Sequence, residues 1–198
     1  MHFLHIRCRR SIASALPEGM ILCMHKRTES LSDVEAELFR QGMRRLAGGV
    51  TIVTSSRENE PAGLTATAVC SLSAEPPRLL ACINRQGRTY QTIAQSRTFC
   101  VNVLCDRQED LALAFATASD AHAPGRFGKA NWTKLDTGAP VLEGALVAFD
   151  CCVASIMDTG SHAVIIGDIR AIALGASGRS LIYVDGTFVH GGREIVPA

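Results

Sequence analysis

The stretch Gly63–Pro77, GLTATAVCSLSAEPP, is the most informative part of the chain. Apart from two leucines and one valine, it carries Gly, Ala, Thr, Ser and Cys up to its acidic and proline end, whereas a strand that only fills a core carries bulkier branched residues. Gly63 permits close approach of another backbone or a ligand, and Pro76–Pro77 ends the segment because prolines lack backbone donors. Small side chains let a flat ring lie against backbone, beside hydroxyl and N–H groups. The segment therefore predicts either a ligand-binding cradle or a closely packed inner strand.

The overall composition indicates a soluble globular protein with a single core. The chain has 198 residues, of which 47% are hydrophobic. It has 20 Lys and Arg against 19 Asp and Glu, and only 5% aromatic residues, so we expect no nucleic-acid partner. No apolar run approaches the ~20 residues that a membrane helix requires, and we expect no membrane partner.

Eight cysteines raise the question of disulfides or a metal site. They form no CxxC pair, and most lie in apolar, strand-like runs, where free cysteine behaves as a small hydrophobe. We therefore expect no metal and a reducing, cytoplasmic location. The positions are Cys8, Cys23, Cys70, Cys82, Cys100, Cys105, Cys151 and Cys152.

Residues 1–30 differ in character from the rest. Five basic side chains face a single acid, Glu18, within residues 1–27. A secretory signal is not expected, because no clean apolar stretch precedes a small-residue cleavage site. Two interpretations remain: a flexible leader, or an over-extended start with Met20 or Met24 as later initiation points. We expect the folded domain to occupy residues 31–198.

Hydrophobic spacing predicts many short strands and few helices, which is typical of a closed or half-closed barrel. Ser32 is the expected cap of a first helix, and Asp106 of another that runs to Ala116. Residues 117–134 are predicted to form a long connection, and Gly175–Gly178 a turn. Further helical turns are predicted at Thr89–Gln95. The predicted strands are Val50–Ser55, Leu79–Ile83, Thr98–Leu104, Leu146–Met157, Ala163–Leu174, Leu181–Val184 and Thr187–His190, the last two forming a hairpin around Asp185–Gly186.

A series of motifs in order along the chain resembles the flavin reductase-like family, the small reductase components of two-component flavin monooxygenases. The similarity runs from Ser32 to Gly192. This resemblance implies a mainly β fold, an FMN-binding split β-barrel of Greek-key type with peripheral helices, assembled as a homodimer. Besides Gly63–Pro77, the motifs are Phe39–Met43, Val50–Thr54, Leu80–Asn84, Phe99–Leu104, Arg126–Phe127, Ala139–Leu142, Phe149–Cys151, Gly160–His162 and Leu181–Tyr183.

The family implies an NAD(P)H-dependent flavin reductase that transfers hydride to FMN, or FAD, and supplies reduced flavin to a separate oxygenase. The resemblance is to reductases such as that of 4-hydroxyphenylacetate 3-monooxygenase. Cofactor chemistry suits a chain with no nucleophile elbow, metal cluster or carboxylate pair. No G-x-G-x-x-G motif follows an early strand, so the dinucleotide fold of classical dehydrogenases is not expected.

Several alternatives stay open. The flavin is either a tight cofactor or a passing substrate, and the nicotinamide is either NADH or NADPH. The chain is alternatively a reductase that keeps its flavin and reduces another acceptor, such as a corrin cobalt centre. A flavin- or haem-binding split barrel without turnover is another alternative. A structural dimer that binds no flavin is the last.

Matches to the family's motifs supply the candidate site residues. Thr65, Ala66 and Thr67 are assigned to the flavin ring and ribityl edge, and Ser71 to a further polar contact. The family's phosphate motif, Asn-x-x-Ser-x-Thr, is kept at Asn84 and Thr89, but Gly87 replaces its serine. Backbone N–H groups at such a turn bind anions, and Arg85 and Arg88 add positive charge.

Two further matches concern the nicotinamide and the loop beside the flavin. Gly160–His162 aligns with the family's Gly-x-His motif, usually Gly-Asp-His, and implies that His162 positions the nicotinamide; no proton transfer is assigned to it. Arg126 is expected to meet a phosphate or the dinucleotide, and Phe127 to cover the ring, unless this pair only anchors a loop. Trp132 is expected to be a packing residue.

Overall fold

Short antiparallel strands make up most of the fold. The computed structural model describes residues 34–116, 124–193 and 195. The expectations for residues 1–30 and for the Ser32 cap lie outside the described residues. The chain separates into two compact units, Met1–Gln41 and Gly42–Ala198. All the described strands belong to the second unit.

The described residues form twelve strands and four α-helices. The helices are α1 (Ala36–Arg44), α2 (Arg88–Ser96), α3 (Glu109–Ala116) and α4 (Pro124–Phe127), and a 3₁₀ turn (Asp106–Gln108) precedes α3. The strands are β1 (Gly48–Gly49), β2 (Thr51–Arg57), β3 (Glu60–Ala66), β4 (Val69–Ala74), β5 (Pro77–Asn84), β6 (Thr98–Val103), β7 (Trp132–Lys134), β8 (Pro140–Leu142), β9 (Val147–Asp158), β10 (His162–Leu174), β11 (Leu181–Val184) and β12 (Thr187–His190).

Seven strands form one antiparallel sheet in the order β3-β2-β6-β9-β10-β5-β4. Alternate side chains of β5, at Leu79, Ala81 and Ile83, face the main core, as a strand with one buried face requires. Two small sheets, β1-β11-β12 and β7-β8, complete the β structure of the described residues. The predicted mainly β class is therefore confirmed.

The two edges of the large sheet are consecutive in the chain. Only Thr67 and Ala68 separate the end of β3 from the start of β4. A flat seven-stranded sheet would hold its edges about 29 Å apart at the usual strand spacing. The three Cα–Cα steps from Ala66 to Val69 span at most about 11 Å. The sheet must therefore curl until these two strand ends meet, although no backbone ladder pairs β3 with β4 in the described part of the chain.

Buried polar groups attach the short strand β8 to the large sheet. The Asn102 side chain accepts a hydrogen bond from the Leu142 N–H (2.7 Å) and donates to the Ile52 carbonyl (3.0 Å). The Thr54 hydroxyl donates to the Pro140 carbonyl at 2.5 Å. These groups lie in the interior, where each of them needs a partner.

Most predicted elements are confirmed, with shifts of one or two residues at their ends. The β9–β10 and β11–β12 hairpins lie where the sequence indicates. The prediction of Asp106 as a helix cap is wrong: Cys105 is the N-cap, because the chain enters a 3₁₀ turn before α3 and the Gln108 side chain accepts the Cys105 N–H (2.9 Å). No described helix is long and apolar enough to cross a membrane.

Candidate functional site

An open groove of about 860 Å³ lies beside β3, the β5–α2 loop and the first residue of β10. Its volume falls in the range of small-molecule sites. Of the nine site residues expected from the sequence, the structure brings seven into the walls of this groove: Thr65, Ala66, Thr67, Asn84, Thr89, Arg126 and His162.

The groove wall formed by β3 consists mostly of small side chains and continues through Thr67 and Ala68 in the turn into β4. Thr67 and Ala68 are exposed, and Ala66 is partly buried. The Thr65 hydroxyl donates to the Ala112 carbonyl of α3 at 2.6 Å, so one of its roles is to hold that helix. Its oxygen keeps lone pairs for a further partner.

Gly63 serves the packing of aromatic rings. A Cβ at this position would lie 2.8 Å from a ring carbon of Phe115 and 3.3 Å from one of Phe127. Phe127 packs edge-to-face on Phe115, with centroids 5.0 Å apart, and against Trp132 at 4.9 Å. The expected close approach is therefore made by side chains of the protein itself. Phe127 belongs to this aromatic cluster and is not among the described residues that line the groove. Trp132 is a packing residue, as predicted.

Arg126 lies between the aromatic cluster and the groove. Its guanidinium carbon is 5.6 Å from the Phe115 ring centroid, within the range of a cation–π contact. Its Nη1 is 3.5 Å from the Gly63 carbonyl oxygen. The stacked position keeps a positive charge in the groove wall.

Helix α2 begins at the opposite wall of the groove. Its N-cap, Gly87, is extended, with φ −77° and ψ 147°, and makes no side-chain capping hydrogen bond. Asn84 shapes the preceding turn, because its side-chain oxygen accepts the Gln86 N–H at 2.9 Å. Gly87, Arg88 and Thr89 line the groove at this helix start. The first N–H groups of a helix and its dipole favour an anion there.

The two arginines expected to add charge near α2 both form ion pairs. Arg88 pairs with Glu60 at 2.5 Å, and Arg85 pairs with Asp158 at 2.6 Å. These carboxylates reduce the positive potential that the arginines bring to the helix start.

His162 is exposed and opens β10 directly opposite Asn84, the last residue of β5. Its Nδ1 is 2.9 Å from the Ser161 hydroxyl oxygen, so the residue that replaces the family's aspartate contacts the imidazole. Asn84, assigned from the sequence to the phosphate, and His162, assigned to the nicotinamide, are therefore direct neighbours on two paired strands.

Ser71 is not brought to the groove. It lies on the exposed edge strand β4, next to a register shift in its pairing with β5. Conversely, the groove wall includes Cys82 and Gln91, which reasoning from the sequence missed. The period of two along β5 gives a signal for Cys82, since it shares a face with Asn84. Gln91 has a weaker signal, two residues after Thr89 in a predicted helical turn.

Two buried thiols are removed from any chemistry of the groove. Burial, reinforced by the charge of Asp150, raises the pKa of Cys151 to about 12 and that of Cys100 further still. Thiolates are the reactive form of cysteine, so both residues are inert packing groups. All six described cysteines are free, and the described residues contain no group of three or more His, Cys, Asp or Glu placed to hold a metal.

The chain belongs to the family described as Flavin reductase like domain, which matches residues 43–192. It is 42% identical over 153 residues to FMN reductase (NADH) RutF 2 of Rhizobium rhizogenes, covering 77% of this chain and 87% of that protein. It is 38% identical over 152 residues to FMN reductase (NADH) RutF of Serratia proteamaculans, covering 77% and 86%.

Solved structures show the same relationship. One is the NADH:FAD oxidoreductase SgcE6 of Streptomyces globisporus, in complex with NAD and FAD fragments. The TM-score is 0.71 at 27% identity, with 78% of this chain and 92% of that chain covered. Another is BorF, the flavin reductase component of a bacterial two-component tryptophan halogenase. Here the TM-score is 0.73 at 28% identity, with 79% and 98% covered.

Proposed function

We propose that this chain is an NADH-dependent flavin reductase that passes a hydride from the nicotinamide to FMN. The observation that carries the proposal is the groove itself. It joins a wall of small residues, suited to a flat ring, to a helix start without a side-chain cap, suited to a phosphate. The family membership and the FMN reductase (NADH) relatives support the same function.

The residues of the groove fit a flavin. The wall Thr65–Thr67 would hold the ring and ribityl edge, and the N–H groups of the α2 start would hold the phosphate, with Asn84 keeping the turn in shape. The Gly87 N–H donates to the Asn84 carbonyl (3.3 Å), but the first residues of α2 still present their N–H groups, so the serine missing from the family's motif removes one hydroxyl only. When bound, flavin supplies the ring that accepts the hydride.

The protein's own work in this proposal is orientation. His162 would position the nicotinamide near the β3 wall, and Arg126 would meet a phosphate of either substrate. A reaction of this kind depends on holding the two rings about 3–3.5 Å apart with the reacting atoms aligned. Hydride transfer between the two rings needs no protein base. Ser71 and Phe127 would act at most indirectly, from the edge strand and the aromatic cluster.

The choice of substrates follows the relatives. RutF relatives are named for FMN and NADH, which favours this pair. FAD stays a second candidate because SgcE6 is named as an NADH:FAD oxidoreductase. The reduced flavin would pass to a separate oxygenase, and support for a separate partner comes from BorF, which is named as one component of a two-component halogenase. The free thiols support a reducing compartment such as the cytoplasm.

We also propose a split β-barrel of Greek-key type that assembles as a homodimer. The curl of the seven-stranded sheet supports the barrel. An apolar face of the large sheet that the chain leaves partly uncovered supports the dimer. Cys70 and Met157 are exposed, and Leu80, Val164 and Ile166 are half-buried. These side chains are neighbours, since Cys70 lies opposite Leu80, Leu80 opposite Ile166, and Val164 opposite Met157. Light scattering tests this directly: a monomer has a mass of 21.2 kDa, and a dimer twice that.

The function is tested by anaerobic oxidation of NADH and NADPH, with FMN, FAD or no flavin added. Nicotinamide and flavin absorbance are followed together. Turnover that scales with free flavin supports a reductase that treats flavin as a substrate. A yellow protein that is reduced once and stops indicates a retained flavin that awaits another acceptor. A protein that neither binds flavin nor oxidises nicotinamide contradicts the proposal.

A further inference from the structure

Arg85 connects two loops that supply residues to the groove. Its Nη1 donates to the Asp158 carboxylate (2.7 Å to Oδ1) and to the Gly160 carbonyl oxygen (2.9 Å). Its backbone N–H donates to the Ser161 carbonyl (3.1 Å). Arg85 belongs to the loop between β5 and α2, whereas its three partners belong to the hairpin between β9 and β10. One residue therefore joins the β5–α2 loop, which we call the phosphate loop, to the turn that leads into His162.

The hairpin is also braced internally by the carboxylate that Arg85 holds. Asp158 Oδ1 accepts the Gly160 N–H at 2.8 Å. The Thr159 N–H (3.0 Å) and hydroxyl (2.8 Å) both donate to the His162 carbonyl. The contacts of Arg85 with Asp158 and Gly160 therefore hold the whole turn that leads into His162.

Arg85 itself does not form part of the groove walls made by the described residues, although its neighbours Asn84 and Gln86 do. A single nitrogen of the guanidinium group, Nη1, contacts both the Asp158 carboxylate and the Gly160 carbonyl oxygen. The buried Nε of Arg85 has no hydrogen-bond partner among the described residues. A lysine ammonium group would supply the charge and part of these donor contacts. The contacts therefore indicate a role in holding the hairpin, distinct from binding a ligand.

We propose that Arg85 and Asp158 form a positioning clamp that sets His162 relative to the flavin phosphate loop. The clamp fixes where the nicotinamide lies over the flavin and leaves the flavin site itself intact. This inference rests on the proposed function and adds to it a pair of residues outside the groove walls that governs only the nicotinamide side.

The chain contains a matched control for this clamp. Arg78 on β5 and Asp168 on β10 form an ion pair at 2.6 Å, and these are the two strands that adjoin the clamp loops. The arginine side chains are equally exposed, at 38% in both pairs, and the aspartates are 40% exposed in the control and 56% in the clamp. Neither Arg78 nor Asp168 lines the groove in the described part of the chain. Loss of the control pair removes a cross-strand ion pair without touching the hairpin.

The test compares Arg85→Met, Arg85→Lys, Asp158→Asn and Arg78→Met in the full chain. Flavin affinity is measured by quenching of FMN fluorescence, and kcat and KM for NADH by anaerobic turnover. We expect Arg85→Met to lower kcat/KM for NADH about ten-fold, mainly through KM, because displaced groups lose their alignment. Flavin affinity should change less than about two-fold, since neither Arg85 nor Asp158 lines the groove.

The remaining variants separate positioning from general stability. Arg85→Lys should recover part of the loss, and Asp158→Asn should resemble Arg85→Met. A double variant that combines Arg85→Met with Asp158→Asn should be no worse than either single variant, because both remove the same interaction. Arg78→Met should leave all constants unchanged. Equal losses in Arg78→Met and Arg85→Met, or a parallel loss of flavin affinity, overturn the clamp. A wild-type chain that neither binds FMN nor oxidises NADH overturns the proposed function instead.

Discussion

Strands β2 and β3 lie side by side and both carry small residues, yet the fold exposes these residues to different degrees. In β2, Thr51, Thr54 and Ser55 are buried, and their hydroxyls donate to carbonyl groups of the protein. In β3, the stretch from Thr65 runs into the exposed turn of the groove wall. The comparison teaches that small polar residues in a strand indicate a binding site only where the fold leaves them exposed.

The buried side of this comparison is tested by Asn102→Leu, which should have the largest effect. Asn102 is fully buried, and its amide bonds to Ile52, Thr54 and Leu142. A leucine leaves these buried polar groups without hydrogen-bond partners, and we expect the free energy of unfolding to fall by about 3 kcal/mol. Urea unfolding measures the loss.

The same variant shows whether the buried residues around β2 serve stability alone, while the β3 wall serves flavin binding. Flavin affinity per folded molecule should stay at the wild-type value, because Asn102 lies outside the groove. A matched change at Asn131, which is exposed, should leave the free energy of unfolding unchanged. If Asn102→Leu loses flavin binding while it is still folded, the buried polar residues also support the flavin site, and the functional distinction between β2 and β3 is wrong.

Alkaline pH should destabilise the buried core through its thiols. The pKa of Cys151 is raised from 9.0 to about 12 in the folded chain. Below pH 9 the thiol is protonated in both states and its contribution is complete. Between pH 9 and 12 it ionises only when unfolded, so stability falls as pH rises. At pH 10.5 this amounts to about 2 kcal/mol.

The effect is isolated by comparing Cys151→Ala with the wild type at pH 8 and pH 10.5. The variant is less stable at pH 8 because it leaves a cavity, but it should lose less stability at high pH. Cys70→Ala, at an exposed position, should follow the wild type. Parallel pH curves for Cys151→Ala and the wild type would show that the buried thiol ionises as easily as a free one.

Local signals explain why some elements were predictable. Asp185 and Gly186 both adopt positive φ, at 52° and 80°, which is the backbone of a tight hairpin turn and is encoded in that dipeptide. The mainly β class follows from strand spacing, and the seven groove residues from motif matches. In each case the information lies within a few residues of the chain.

Other features depend on distant partners and left no local signal. The sequence did not show that Gly63–Pro77 bends at Thr67–Ala68 to span both edges of the sheet. It assigned the charges of Arg85 and Arg88 to an anion, whereas the fold pairs them with Asp158 and Glu60. Whether a hydroxyl in β2 or β3 is buried also depends on which strands flank it, which is why the residue pattern alone did not decide between a cradle and a packed strand.

The open side of the comparison is tested by Thr67→Leu. A leucine at this exposed turn fills the groove wall without entering the core, so stability should change by less than about 0.5 kcal/mol. We expect FMN affinity to fall about ten-fold, or about 1.4 kcal/mol, because the added side chain occupies the space of the ring. Fluorescence titration with FMN measures this. Unchanged affinity would remove Thr67 from the proposed flavin site.

The smallest expected effect, and the sharpest, concerns His162→Ala at the far wall of the groove. Loss of a single hydrogen-bonding side chain is worth about 1 kcal/mol, or about a five-fold rise in KM for NADH. The KM for FMN should stay constant, because the flavin contacts belong to β3 and to the start of α2. Ser161→Ala, which removes the partner of the imidazole, should give a smaller rise in the same constant. An equal rise for both substrates would mean that His162 shapes the whole groove, and the division between a flavin wall and a nicotinamide wall would be lost.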